Sequence, residues 1–163
     1  MHNKTNIDVD NASGEEAPEP PSIRHWICAA LGDQMPEAEI SVRIVSATES
    51  AALNMRYRGK EGPTNVLSFP SDIPDFVESS LLGDIVICAA VVRSEAAEQG
   101  KAIEAHWAHM LVHGTLHLLG HDHIEEAEAE TMEALETRIL GELDFPPPYL
   151  PTPHSSRKET LAP

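Results

Sequence analysis

The chain has 163 residues, 41% of them hydrophobic, and a formal net charge of −16, which suits one domain with an ordinary core and excludes nucleic-acid binding driven by net charge alone. Cys28 and Cys88 sit in apolar stretches and form neither a disulfide framework nor a zinc-type pair, the pattern of a reducing compartment. The opening run Met1-His2-Asn3-Lys4-Thr5-Asn6 has no apolar core and no stretch approaches bilayer length, so a cytoplasmic protein with no membrane partner is expected.

Residues 1–20 are polar and acidic and run into Pro18-Glu19-Pro20-Pro21, which predicts a disordered leader. The domain proper is expected over residues 21–145. Ser22 is placed to cap a helix reaching Leu31, with Gly32 as its stop. Ile40, Val42 and Ile44 alternate with polar residues as in a strand. Thr48 opens a second helix carrying Ala51, Ala52, Leu53 and Met55, closed by Gly59. Asn65–Phe69 and Gly83–Cys88 read as strands, the second nearly all apolar and therefore central.

Two helices follow, Ala89–Gln99 stopped by Gly100, and Ala102–Leu119. An acidic helix over Glu125–Leu140 carries the stripe Met132, Leu135, Ile139 and Leu140. Residues 146–163, with five prolines among their first eight positions, predict an extended tail. The order of elements implies a small α+β (α/β-like) single domain around one sheet, with a metal site on a central helix. Acid concentrates in residues 1–20 and 124–144, whereas Arg56-Tyr57-Arg58-Gly59-Lys60 places three cations around an aromatic. Such a local patch suits phosphate contacts, although its ordinary reading is the solvated end of a helix.

The run His113-Gly114-Thr115-Leu116-His117-Leu118-Leu119-Gly120-His121-Asp122-His123 carries the chemistry. Helical positions four apart differ by about 40° in azimuth and about 6 Å in height, so His113 and His117 can aim at one ion. His123 falls about 240° round from His117, so the helix must end between them, and Gly120 supplies the stop. Three neutral imidazoles leave a fourth position open, the arrangement of catalytic zinc.

A lone histidine on an apolar helix is ordinarily packed or solvated, and it is the conjunction with a breaker and a third histidine that separates this run from chance. His106, His109, His113 and His117 share one helix face, which makes His109-His113-His117 a competing ligand set. It ranks lower, because three ligands over two turns of a straight helix do not converge on a tetrahedral ion. His106 and His109 read as supporting or cleft-lining groups or as packing, and His121 as a weaker ligand candidate beside His123. Metzincin peptidases share the spacing, but Gly114 stands where they carry the general-base glutamate, so a peptidase would need Asp84 or Asp122 in its place. A carboxylate introduced at 114 is expected to lie near the metal and repel phosphate.

The same run resembles the H-G-x-L-H-L-x-G-x-D-H signature of the YbeY family, bacterial zinc-dependent endoribonucleases and ribosomal RNA maturation factors. Tyr57-Arg58-Gly59-Lys60, Pro63-Thr64-Asn65-Val66-Leu67-Ser68-Phe69-Pro70 and Leu82-Gly83-Asp84-Ile85-Val86 resemble its other blocks, in order, so that the resemblance covers roughly residues 35–145. The sequence departs at His121, commonly tyrosine in the family, and at Asn65, where many members have aspartate. The resemblance implies a four-stranded sheet with helices around it and one zinc ion held by His113, His117 and His123. It also implies Arg58 as a cleft residue that steadies the charge developing in phosphodiester cleavage.

The substrate it implies is single-stranded RNA, in maturing the 3′ end of small-subunit (16S) ribosomal RNA and in ribosome quality control, with the ribosome or small-subunit proteins as partners. A metal-activated water, the RNA 2′-hydroxyl and His109 stay open as the source of general-base action. The competing function is a zinc-containing ribosome-assembly binding factor with little turnover.

Overall fold

Three strands expected from apolar patterning and a fourth from the start of the chain form one sheet in the computed structural model, which describes residues 5–32, 38–71, 81–121 and 126–148. In chain order the elements are β1 (Asn6–Asn11), α1 (Pro20–Leu31), β2 (Glu39–Val45), α2 (Ala47–Arg58), β3 (Val66–Pro70), β4 (Leu81–Cys88), α3 (Ala89–Gln99), α4 (Ile103–Leu118) and α5 (Glu126–Glu142). The sheet order is β1-β2-β4-β3, with β1, β2 and β4 parallel and β3 antiparallel at one edge. This is a small α+β domain. Central β4 is the nearly all-apolar segment, as its composition requires.

Strand β1 corrects the disordered leader. Ile7 and Val9 alternate with polar residues, so one face of the segment is apolar, and Ile7 is buried in the core. Its acids face outward, where Arg43 Nη1 meets Asp10 Oδ2 at 2.9 Å, and Arg24 Nε donates to the Ile7 carbonyl at 3.1 Å. Overall acidity hid a two-residue apolar period that pairs with β2 through the full register from Asn6 to Asn11.

Helix α1 starts two residues before Ser22, with Glu19 at its N-cap and proline in its first turn, where the missing N–H costs nothing. In α2 the cap is Ser46, whose hydroxyl accepts from the Glu49 N–H at 3.2 Å, and Gly59 closes the helix in the left-handed conformation. Helix α4 is the hub. It packs against α1, α3, α5, β3 and β4 and buries Trp107, Ala108, Leu111, Val112 and Leu116. Across from it lie Ile40, Val42, Ile44, Ile85 and Ile87, the alternate residues of β2 and β4. Helix α5 covers α4 with Met132, Ile139 and Leu140. No helix among the described residues is long and apolar enough to cross a membrane.

Candidate active site

Helix α4 ends as the motif requires. The Gly120 N–H donates to the His117 carbonyl and the His121 N–H to the Leu116 carbonyl, both at 3.0 Å, and Gly120 sits at φ +100. This pair of reversed hydrogen bonds around a glycine is the Schellman termination, which turns the chain back over the last turn.

Within that last stretch His113 and His117 face one another. Their rings are 4.6 Å apart between centroids and their Nε2 atoms 3.1 Å apart. Two ligand nitrogens on a tetrahedral zinc stand about 3.3 Å apart given the usual Zn–N length, so this pair fits a shared ion. His123 and Asp122 lie outside the described residues, among which no three histidine, cysteine or carboxylate side chains are arranged so as to hold a metal ion.

Behind the pair is a carboxylate that sequence reasoning did not single out. Glu136 of α5 is fully buried, with Oε1 3.0 Å from His109 Nε2 and Oε2 2.5 Å from His113 Nδ1. A legible signal existed: Glu136 stands four residues after Met132 and four before Leu140, inside the apolar stripe, where an unpaired acid is not tolerated. His109 thus reaches toward α5, its ring 6.3 Å from that of His113, and opens onto a separate pocket of about 230 Å³ beside Lys101, Leu140 and Phe145.

His106 belongs to another network. Its Nε2 is 2.9 Å from Glu95 Oε1, and the Asn65 amide donates to the same oxygen at 3.1 Å. Burial pushes the His106 imidazole below its ordinary value, against the raising effect of its hydrogen bond to Glu95. An asparagine at 65 therefore gives Glu95 a donor, where an aspartate would set two acceptors together.

A cleft of about 680 Å³ runs along the open edge of β3. Arg58, Asn65, Ser68, His113, His117 and His121 line it. Arg58 is the last residue of α2, exposed and with no ion pair among the described residues. The segment after it is tied down from α2. Ser50 Oγ donates to the Thr64 carbonyl and accepts from its N–H, each at 3.0 Å, and Asn54 Nδ2 donates to the Gly62 carbonyl at 2.9 Å.

Residues 9–144 match the family described as Endoribonuclease YbeY. The chain belongs to the YbeY endoribonuclease family. The fold is similar to that of TM1509 from Thermotoga maritima, solved in solution, with a TM-score of 0.55 and 22% identity over 89% of this chain and 99% of that one; at that identity the likeness concerns the fold alone.

In this member of the YbeY family, Gly114 packs against β3 where that strand lines the cleft. A Cβ there would meet Ser68 Oγ at 3.1 Å and Val66 Cγ2 at 3.3 Å. A side chain at 114 would press on Val66 and Ser68, which line the same cleft as His113 and His117. Asp84, a candidate peptidase base, lines a different pocket with Arg43 and Tyr57.

Proposed function

We propose that this protein is a zinc-dependent, single-strand-specific endoribonuclease of the cytoplasm that matures the 3′ end of 16S ribosomal RNA and serves ribosome quality control, with the ribosome or small-subunit proteins as partners. The observation that carries the reading is that Arg58 and the facing Nε2 atoms of His113 and His117 share one cleft. His113, His117 and His123 would hold one zinc ion, which when bound supplies Lewis acidity to a phosphate oxygen or an attacking water.

The remaining work falls to the chain. Arg58 presents a planar set of donors to phosphate oxygens, and because no carboxylate among the described residues neutralises it, its charge is available to the scissile group. Unpaired nucleotides can be splayed into a cleft of this size, which favours single strands over duplex. His109 opens onto the other pocket, so we assign it support of Glu136 rather than proton transfer.

The test is cleavage of structured and unstructured RNA by purified protein, with and without chelator, and with Arg58→Glu as a control for contaminating nuclease. Zinc-dependent cleavage of the unstructured RNA, lost in the control, is expected. A zinc-replete protein that binds RNA without cutting it would leave the ribosome-assembly binding factor as the function. Unfolding on chelation would show that the metal also holds the fold together.

A further inference from the structure

Glu136 is completely buried in a stripe otherwise made of Met132, Ile139 and Leu140. An apolar side chain of similar volume would join α4 and α5 without the desolvation a carboxylate suffers, so helix packing alone does not account for an acid there. Its two oxygens are divided between two histidines of α4, Oε1 to His109 Nε2 and Oε2 to His113 Nδ1. An ionised carboxylate only accepts hydrogen bonds, so with Glu136 ionised both ring nitrogens would donate to it. With that pairing His113 would carry its proton on Nδ1 and keep a lone pair on Nε2, the atom that faces His117 Nε2 at 3.1 Å.

We propose that Glu136 is a positioning residue that fixes the tautomer and ring orientation of His113 so that Nε2 is presented to a cation, while His109 holds the carboxylate's other oxygen in place. This rests on the reading of His113 as a metal ligand. Carboxylates behind ligating histidines act in this way by setting which nitrogen is free and by raising its basicity.

The test uses the full chain and two readouts: ¹⁵N NMR of the histidine rings in metal-free protein at a pH where imidazoles are neutral, and zinc affinity by competition with a chelating dye. Glu136→Met keeps the stripe apolar and removes the acceptor. It is expected to move the His113 proton to Nε2 and to weaken zinc binding about 10- to 100-fold. Glu136→Gln, which keeps one acceptor oxygen and the native volume, should fall between wild type and Glu136→Met. Wild-type ring shifts together with wild-type zinc affinity in Glu136→Met, or in Glu136→Gln where Glu136→Met does not fold, would overturn the proposal. His113→Ala is the separate control. Full zinc occupancy in that variant would refute the ligand assignment, while the metal-free spectra still report on Glu136.

Discussion

The Ser68 hydroxyl donates to the Gly114 carbonyl oxygen at 3.0 Å, which pins the edge strand β3 to α4 beside His113. The glycine allows this approach, because a side chain there would meet Ser68, Val66 and Ile85 within 3.4 Å. The distance between the histidine face and the cleft wall is thereby set by a residue with no chemistry of its own.

Gly114→Glu is accordingly expected to destabilise the protein without creating a peptidase. Overpacking of this kind costs about 1–3 kcal/mol, and for a chain of this size each kcal/mol lowers the melting temperature by about 2–4 °C. Calorimetry that finds an unchanged melting temperature would show that helix and strand separate here at no cost.

Single alanine variants should divide the histidines into two groups. His113→Ala, His117→Ala and His123→Ala should each lose bound zinc, while His109→Ala should still fill at saturating zinc. Metal analysis of the purified variants decides this. Full occupancy in His123→Ala with loss in His109→Ala would move the site to the single-helix triad.

Arg58→Ala should lower the RNA cleavage rate by about a hundredfold or more, as for removal of one charge-stabilising donor, with zinc content and melting temperature unchanged because the side chain is exposed. Arg58→Lys should also be impaired, since an ammonium cannot reproduce the two-pronged contact of a guanidinium. Wild-type turnover by a zinc-loaded Arg58→Ala protein would reduce Arg58 to a surface cation.

Ser50→Ala tests the staple beneath Arg58. It leaves the Thr64 N–H and carbonyl without their hydroxyl partner, at a cost of about 1 kcal/mol because Thr64 is only half-buried and water replaces part of the pairing. Thr64 and Asn65 line the cleft, so KM for RNA should rise more than kcat falls. An unchanged KM in a protein of lowered stability would show that the staple serves the fold alone.

The buried His106 predicts a pH dependence of stability. Its folded value lies below the ordinary 6.5 because burial disfavours the charged ring, so between the two values the unfolded chain binds the extra proton. The contribution is full above about pH 6.5 and is lost as pH falls from there through the folded value. Denaturant midpoints at about pH 7.5 and pH 5 should differ less in His106→Gln than in wild type. An equal difference in both proteins would remove His106 as the source.

Local rules sufficed for much of this molecule. The i, i+4 pair, the glycine stop at Gly120, the apolar β4 and the helix ends at Gly32, Gly59 and Gly100 are each written in a few neighbouring residues, because helix termination and strand burial depend on short-range sterics and solvation. Strand β1 is hidden in the sequence for a related reason. Two alternating apolar residues among acids are a weak signal until β2 is there to pair with them.

What the sequence by itself determined was the pairing of His113 with His117 and the Arg58 cation at the end of α2, since both are matters of helical period and charge. Only the tertiary structure decided that Arg58 and the histidines open onto one cleft, that Gly114 is a contact with β3, and that Glu136 stands behind His113. These depend on which surfaces of α2, β3 and α5 meet α4, and that choice is made by the packing of the whole core around it.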